Sequence, residues 1–366
     1  MISRRSILQS AAAALAAPMI NRGRFALFAQ SETEYSARTV DLVRRCTVID
    51  MLGLLTLDYE KLCAWEARPD RFPRADFLRL KDSGITVFHP AVGYTTGDIY
   101  AASLRDITGW NAFITAHNSQ FLRVESAGDF GRAKTLGTIG IVIGQQNSEH
   151  FRTVEDVDRF HALGQRVSQL TYRNNRIGGG SSEPDHGLTE FGAAIVDRMN
   201  TTGIAVDISH CGDRTSLDAI EASRKPVLAT HSNCRTLVPH SARCKTDEAI
   251  RRMAARGGVM GITMVRIFVR SGGRTTIEDV LDHIDHVAGL AGIEHVGLGS
   301  DVDLDGRDGP VRPANSSRRF DLDGIDYAKK IFDLTEGLVR RNYSSRSIEL
   351  ILGGNFERTL SAIWTA

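Results

Sequence analysis

Short apolar, β-branched runs recur along the chain beyond residue 45, and each is followed by a longer stretch with helical periodicity. This alternation is typical of parallel βα units. The runs predict eight strands, at residues 47–52, 85–92, 139–144, 167–172, 204–210, 226–231, 258–265 and 295–301. Eight such units favour an α/β fold, a closed (β/α)8 or TIM barrel. An open doubly wound sheet is the alternative, but no G-x-G-x-x-G motif follows the first predicted strand.

The segments between the predicted strands carry helix signals. The helix predicted over 189–199 starts from Thr189, and the helix predicted over 246–255 has Asp247 and Glu248 in its first turn, where acidic side chains are favoured by the helix dipole. No internal repeat and no linker interrupts the pattern. Residues 36–366 are therefore predicted to form one barrel domain.

Residues 1–29 follow a different pattern. Arg4 and Arg5 precede a stretch of mostly small and apolar residues over 7–20, and no acidic residue occurs before Glu32. This combination is typical of a twin-arginine export signal, with cleavage expected near Ala29. The apolar stretch is shorter than the roughly 20 residues that span a bilayer. We therefore expect a protein that the twin-arginine machinery exports to the periplasm, with no membrane span after cleavage.

Composition narrows the range of partners. The chain of 366 residues is 42% hydrophobic and 24% charged, which is ordinary for a globular protein. Its 45 Lys and Arg nearly balance its 44 Asp and Glu, so the chain lacks the positive charge typical of nucleic-acid-binding proteins. Five Cys without any C-x-x-C spacing argue against a zinc ribbon or a dense disulfide framework. A small molecule is the expected partner, and a homo-oligomer is left open.

Polar residues at the carboxyl ends of the predicted strands are the candidate site, because TIM barrels assemble their active sites there. His210 and His231 end the fifth and sixth strands, and Asp301 ends the eighth. Imidazole and carboxylate groups are ligands that zinc prefers, so the pattern favours a metal site over histidines with purely structural roles. Further polar residues follow neighbouring strands and face the same predicted mouth: His89, Gln146, Tyr172 and Asn175.

Two other patterns allow alternative interpretations. The segment 301–306 (DVDLDG) fits the opening of an EF-hand calcium loop, but Arg312 stands at the twelfth position, where the loop requires Glu. A long βα loop is the preferred interpretation. His283 and His286 alternate with acidic residues along a predicted helix, which favours an exposed, charged face.

Six segments share their order and spacing with a known family: 187–192 (GLTEFG), 207–210 (DISH), 230–235 (THSNCR), 257–261 (GGVMG), 297–303 (GLGSDVD) and 351–356 (ILGGNF). Together they resemble the renal or membrane dipeptidase family, peptidase family M19. The resemblance covers nearly the whole chain after the N-terminal segment. It implies a TIM barrel of the metal-dependent-hydrolase type, in agreement with the predicted strands.

The resemblance implies a zinc-binding set that this chain carries in part. In the family, two zinc ions are bound by a His-x-Asp pair after the first strand, a bridging Glu after the third, one His after each of the fifth and sixth, and an Asp after the eighth. The last three positions correspond to His210, His231 and Asp301. The His-x-Asp pair corresponds to Leu52 and Leu54.

Three further family positions also map onto this chain. The bridging Glu corresponds to Gln146, and the family's fourth-strand His corresponds to Tyr172. Arg243 corresponds to the arginine that binds the substrate carboxylate, if one residue is inserted before it.

These departures imply an altered metal site, because leucine offers no lone pair and a neutral amide bridges two cations poorly. We expect at most one divalent ion, with zinc as the implied metal, held by His210 and His231 with Gln146 or Asp301 as a weaker third ligand. Asp301 is expected to act as general base and Tyr172 to donate to the developing oxyanion. The expected substrate contacts are Arg243, Asn175 and His89.

The leading functional interpretation is an exported metal-dependent hydrolase that cleaves a dipeptide or a dipeptide-like amide. The fold alone does not select the substrate. Two alternatives therefore stay open: a non-catalytic binding protein on the same barrel, and a hydrolase of another carbonyl compound such as an ester or lactone.

Overall fold

The computed structural model describes residues 24–26, 34–66, 72–308 and 319–364. Its strands, in chain order, are β1 (Arg24–Ala26), β2 (Glu34–Ser36), β3 (Ile49–Asp50), β4 (Val87–Phe88), β5 (Phe121–Arg123), β6 (Ile139–Ile141), β7 (Gly144–Gln145), β8 (Val167–Gln169), β9 (Ala205–Asp207), β10 (Leu228–Ser232), β11 (Val259–Ile262) and β12 (Val296–Leu298). Each of the eight predicted runs contains at least one of these strands.

Helices separate the strands. They are α1 (Ala37–Arg45), α2 (Tyr59–Glu66), α3 (Arg74–Asp82), α4 (Ile99–Ala116), α5 (Ala127–Leu136), α6 (Asp156–Ala162), α7 (Glu190–Thr202), α8 (Asp213–Ala222), α9 (Asp247–Ala255), α10 (Arg266–Val269), α11 (Ile277–Ala291), α12 (Lys330–Arg340), α13 (Ser345–Glu349) and α14 (Asn355–Trp364). Short 3-10 turns lie at Ser148–His150, Ile293–His295 and Tyr327–Lys329, and a π-helical turn at Leu350–Gly354 joins the last two helices.

The strands β3 to β12 form one parallel sheet in the order β5-β6-β4-β3-β12-β11-β10-β9-β8-β7. Strands β6 and β7 belong to one stretch, residues 139–145. In that stretch β6 pairs with β4, and β7 pairs with β8. One continuous stretch of chain therefore pairs with strands near both ends of the order, which closes a ring of eight strands. The sheet therefore returns on itself as a (β/α)8 barrel, and the predicted fold class is confirmed.

Two pairings were not predicted. Strand β5 lies outside the predicted runs and pairs with β6 beyond the ring of eight. Strands β1 and β2 form a separate antiparallel pair, in which Arg24–Ala26 comes from the segment predicted as an export signal. The rest of that signal, including Arg4, Arg5 and Ala29, lies outside the described residues.

The residues that the sequence predicts at helix starts cap those helices in the structure. Thr189 Oγ1 accepts a hydrogen bond from the Gly192 amide at the start of α7, and Thr246 caps α9 in the same way. Gly203 ends α7 at φ 88°, a left-handed conformation that a residue with a Cβ rarely adopts. These residues set where α7 and α9 begin and where α7 ends, and the chain continues into the next strand from there.

The last helix closes the barrel at the end opposite the mouth. One buried cluster combines the first residues of six strands with three side chains of α14: Ile49, Val87, Val167, Ala205, Leu228, Val259, Phe356, Leu360 and Ile363. A Cβ at Gly297 would lie 2.5 Å from the Phe356 ring, so the glycine lets the helix approach β12. This packing places α14 at the amino ends of the strands, away from the candidate residues at their carboxyl ends.

The prediction of an exposed face at His283 is wrong. His283 is fully buried in α11, where its Nδ1 atom accepts from the Cys234 amide at 3.1 Å and its Nε2 atom donates to the Val269 oxygen at 2.9 Å. His286 is partly exposed and bonds to Asp247. None of the helices among the described residues is long and apolar enough to cross a membrane.

Candidate active site

A pair of histidines lies at the carboxyl ends of β9 and β10. The Nε2 atoms of His210 and His231 are 3.1 Å apart. Two nitrogens bound to one tetrahedral zinc at about 2.0–2.1 Å lie about 3.3 Å from each other. The two side chains therefore have the spacing of neighbouring ligands of a single ion, as their positions at adjacent strand ends predict.

A hydrogen-bonded chain orients the ring of His231. Its Nδ1 atom lies 2.9 Å from Thr230 Oγ1, and that hydroxyl group donates to Asp207 Oδ2 at 2.6 Å. Because the single hydroxyl hydrogen goes to the carboxylate, the oxygen accepts from Nδ1–H. The neutral ring therefore keeps its Nε2 lone pair facing His210, in the arrangement that metal-binding histidines commonly have.

Burial keeps both rings neutral. The pKa of His210 and that of His231 lie well below the usual 6.5, first because of burial and next because of the positive charge of Arg243. Neutral imidazole is the form that binds metal ions. The pair is therefore in its ligand form at neutral pH.

Tyr172 packs on the histidine pair. Its ring stacks on His210 with the centroids 4.2 Å apart and the planes 21° from parallel. On the other side, a Cβ at Gly93 would lie 2.6 Å from the Tyr172 ring, so the glycine leaves room for the aromatic side chain. The structure thus places Tyr172 beside His210 at the predicted mouth. The contribution of Gly93 was not predicted from the sequence.

Asp301 lies in the turn that follows β12. It has a φ of 59°, which is unusual for a residue with a side chain and is often found at functional sites. Its amide donates to the Leu52 oxygen at 2.8 Å, and its Oδ1 atom is 2.8 Å from Arg307 Nη1. Burial raises the pKa of the Asp301 carboxyl, while the charges of Arg307 and Arg243 lower it.

Arg243 holds the segments that carry the two histidines. Its Nη1 atom donates to the Ser209 oxygen and, at 3.3 Å, to Ser232 Oγ, and its Nη2 atom donates to the His231 oxygen at 2.7 Å. Only 8% of the residue is exposed. Its Nε atom has no hydrogen-bond partner among the described residues. Four of the five N–H hydrogens of the guanidinium group are therefore on nitrogens, Nη1 and Nη2, that already donate to protein oxygens.

Gln146 directly follows β7, and His89 directly follows β4. Gln146 donates from Nε2 to the Ala91 oxygen at 2.8 Å. His89 is buried, with Nδ1 2.7 Å from the Met51 oxygen, and its Nε2 atom has no hydrogen-bond partner among the described residues. A Cβ at Gly144 would lie 2.1 Å from that Nε2 atom, so the glycine leaves the space that the His89 ring occupies beside β7.

The side-chain amide of Asn175 makes hydrogen bonds to its own loop and to neighbouring segments. Its Nδ2 atom donates to Asn147 Oδ1 at 2.7 Å and to the Leu170 oxygen at 3.0 Å. Its Oδ1 atom accepts from the amides of Ile177 and Gly178. The amide group is fully used by these bonds, and its substrate contact stays a prediction.

The sequence reasoning missed three residues around the pair. Asp207 and Thr230 lie inside motif segments, and the available signal was a polar residue within an otherwise apolar, buried strand. Such a residue needs a partner, and here the two residues partner each other. Arg307 lies in a loop, and its sequence position carried no such signal.

The comparisons with known proteins match nearly the whole described barrel. Residues 36–366 match the sequence profile of the membrane dipeptidase family, peptidase family M19. The chain belongs to that family. The family resemblance inferred from the motif segments is therefore confirmed.

Individual relatives of this M19 chain agree with the assignment. An uncharacterised dipeptidase of Schizosaccharomyces pombe is 32% identical over 267 residues, which are 70% of this chain and 61% of that protein. The chain therefore matches about three fifths of the length of this curated relative. An amidohydrolase from Pseudomonas aeruginosa has 30% identity and a TM-score of 0.77, over 89% of this chain and 99% of that one.

A third relative was solved with a ligand. A metallopeptidase from Rhodobacter sphaeroides, liganded with a phosphinate mimic of the dipeptide L-Ala-D-Ala, has a TM-score of 0.71 and 21% identity over 87% of this chain and 99% of that one. At this identity the likeness shows a shared fold. It supports the barrel assignment made from the strand order.

M19 proteins are metal-dependent, generally on zinc, so the residues at the mouth can be tested against that metal. Within the described ranges, no group of three His, Cys, Asp or Glu side chains is arranged to hold a metal ion. Leu52, at the position of a family ligand, is buried and has no donor atom on its side chain. The pair His210–His231 does fit two positions of one ion.

Proposed function

We propose that this chain is an exported metal-dependent hydrolase of the dipeptidase type, which cleaves the amide bond of a dipeptide or dipeptide-like compound. The observation that carries the proposal is the 3.1 Å approach of the His210 and His231 Nε2 atoms at the mouth of the barrel. Both rings are neutral, and the Thr230 hydroxyl fixes one of them. Two such nitrogens facing each other are the arrangement of a metal site.

The pair would hold one divalent ion, zinc by family, with Gln146 as a weaker oxygen ligand. Bound there, the ion supplies Lewis-acid activation of water and of the scissile carbonyl. The third ligand is expected to be an amide or water oxygen, because no third His, Cys, Asp or Glu joins the pair within the described residues. A single ion per chain is the expected stoichiometry.

The surrounding side chains handle the proton and the charge. Asp301 accepts the proton of the attacking water, and burial raises the pKa of its carboxyl in the direction that a base near neutral pH needs. Tyr172, held against His210 by stacking, provides a phenol donor for the oxyanion. Arg243 keeps the two histidine segments in register through its bonds to the main chain.

Metal analysis together with a substrate panel tests the proposal. The purified protein should hold about one zinc per chain and should hydrolyse at least one dipeptide, with L-Ala-D-Ala in the panel. His210→Ala and His231→Ala should each lose both the ion and the turnover, because one imidazole leaves too few donors. His295→Ala, at the opposite end of the barrel, is the matched control and should keep both.

The same measurements separate the alternatives. A protein that binds dipeptides but turns over no dipeptide, ester or lactone would support a binding protein on this barrel and contradict the hydrolase. Turnover confined to esters or lactones would contradict the dipeptidase assignment and leave the metal site intact.

A further inference from the structure

A cavity of about 360 Å³ lies between helices α1, α3, α5 and α12. Two of its lining residues, Ile85 and Thr86, directly precede β4, so the cavity lies at the amino end of that strand. The candidate active-site residues lie at the carboxyl ends of the strands, on the other side of the barrel. The volume is within the range of pockets that bind small molecules.

Four positively charged side chains line this cavity, together with a single carboxylate. The charged residues are Arg44, Lys81, Lys134 and Lys329, and the carboxylate is that of Asp82. The first three cations come from α1, α3 and α5, and the fourth comes from the 3-10 turn before α12. Four separate elements therefore bring positive charge to one space.

Helix capping explains two of the lysines. Basic side chains are favoured at the carboxyl ends of helices, where they offset the helix dipole. Lys134 Nζ donates to the Cys46 oxygen at 2.6 Å, directly after α1, and Lys329 Nζ donates to the main-chain oxygen of Asp82 at 3.1 Å, at the end of α3. The ammonium group of Lys81 makes no hydrogen bond or ion pair with another described residue, so capping does not explain its position.

The ammonium group of Lys81 is partly buried beside another positive charge. Burial lowers the pKa of Lys81. Burial also lowers the pKa of Lys134, and the charge of Lys81 lowers it further. Like charges in a partly buried site destabilise each other. An anion in the cavity would offset this repulsion and would supply the acceptor that Lys81 lacks.

We propose that this cavity binds a small molecule that carries a phosphate group. The ammonium group of lysine binds phosphate as a compact point charge, whereas the planar fork of arginine matches a carboxylate. Three ammonium groups from separate elements therefore suit a tetrahedral dianion. The buried side chains of Val43, Ile85 and Phe332 form an apolar part of the lining, so the ligand is expected to carry an apolar group beside the phosphate. This site does not depend on the proposed function.

Calorimetric titration of the purified protein with phenyl phosphate, at constant ionic strength, tests the proposal. The natural protein should bind this compound with a Kd of about 1 mM or tighter, and roughly tenfold more tightly than benzoate, which carries a carboxylate on the same ring. Lys81→Gln should weaken the binding by roughly tenfold to a hundredfold, the usual effect of losing one charge-assisted hydrogen bond. Lys81→Arg should keep most of the affinity, because it keeps the charge.

Two control variants locate the binding site. Lys225→Gln removes an exposed ammonium group that does not line the cavity, and it should not change the affinity for phenyl phosphate. His210→Ala changes the mouth of the barrel and should not change this affinity either, because the cavity lies at the opposite end. Binding that is lost in His210→Ala but kept in Lys81→Gln would place the anion at the mouth and overturn the proposal.

Thermal unfolding in phosphate-free buffer gives a second measurement. Lys81→Gln should be at least as stable as the natural protein there, because it removes a partly buried charge that has no partner. Phenyl phosphate should then raise the Tm of the natural protein more than that of Lys81→Gln. A lower stability of Lys81→Gln without phosphate would show that the lysine has a structural role and would contradict the proposal. Equal affinity of Lys81→Gln and the natural protein, or no binding at about 10 mM phenyl phosphate, would also overturn it.

Discussion

The ammonium group of Lys330 lies 3.6 Å from the carboxylate of Asp50, and both side chains are fully buried. Asp50 ends β3, and its carboxylate also accepts from the Ser300 amide at 2.7 Å. The Lys330 Nζ atom also donates to the main-chain oxygens of Val302 and Asp303. The pair therefore joins the ends of β3 and β12 beneath the turn that carries Asp301.

Lys330→Met should destabilise the protein strongly, because it keeps the length of the side chain and leaves the Asp50 carboxylate buried without a countercharge. Breaking one partner of a buried pair costs about 3–5 kcal/mol. Urea denaturation measures the free energy of unfolding. Lys225→Met, whose exposed ammonium group donates to the Ala362 oxygen, is the control and should change it by less than about 1 kcal/mol. A small effect of Lys330→Met would show that the pair contributes little.

The barrel could be predicted because the same sequence pattern recurs along the chain. Eight apolar runs, each followed by a helical stretch, specify the same βα unit, and the order of the strands follows from the handedness and short connections of such units. Strand β5 was missed because it is a local extension that pairs with β6 outside this repeat. Nothing in Phe121–Arg123 distinguishes an additional strand from a loop with apolar residues.

The positions of the candidate residues were predictable at the strand ends and not in the loops. His210, His231 and Tyr172 were found because a barrel brings strand ends together whatever the loops do. Arg307 reaches the mouth through the path of a loop, which depends on bonds such as that of its amide to Asp321. Those contacts join residues 14 positions apart and leave no periodic pattern in the sequence.

His283 makes the stability of the fold depend on pH. Its Nδ1 atom accepts from the Cys234 amide and its Nε2 atom donates to a carbonyl, so a second proton has no place to bind. Burial lowers the pKa of His283 to about 4, against about 6.5 in the unfolded chain. A lowered folded-state pKa means that the unfolded chain takes up the proton first. This contribution is therefore fully present above pH 6.5 and is lost as the pH falls towards 4.

His283→Gln should expose that dependence. The variant is expected to be less stable than the natural protein at pH 7, and the difference should shrink by roughly 2 kcal/mol at pH 4.5. Chemical denaturation of both proteins at the two pH values measures this change and cancels the titration of shared carboxylates. A difference that stays constant between pH 7 and pH 4.5 would contradict the lowered pKa.

The predicted twin-arginine pair lies outside the part of the chain that the structure describes, and mutation of the pair tests export. Arg4→Lys combined with Arg5→Lys should hold the full-length protein in the cytoplasm, because lysine lacks the planar guanidinium fork. Cell fractionation with an immunoblot measures the periplasmic share. The control is Arg22→Lys with Arg24→Lys, which makes the same change outside the pair and should leave export intact. Normal periplasmic accumulation of the first variant would contradict the signal.

The hydroxyl group of Thr230 connects the buried carboxylate of Asp207 to the ring of His231. Thr230→Val keeps the shape of the side chain and removes both the bond to Asp207 and the bond to Nδ1. The ring then loses the partner that fixes its tautomer. Zinc affinity should fall by roughly tenfold to a hundredfold, the usual effect of removing such a partner. Competition with a chromophoric chelator measures the affinity.

Two variants separate orientation of the ring from a general effect on the buried carboxylate. Thr230→Ser retains a hydroxyl group and should retain most of the affinity. Ser209→Ala removes another hydroxyl bonded to Asp207 and the acceptor of the His231 amide but no bond to a ring nitrogen, so the affinity should change less than in Thr230→Val. An equal fall in Thr230→Val and Ser209→Ala would mean that Asp207 acts by holding the strand ends together. A fall confined to Thr230→Val means that the carboxylate acts through the ring, because only that variant frees Nδ1 of His231.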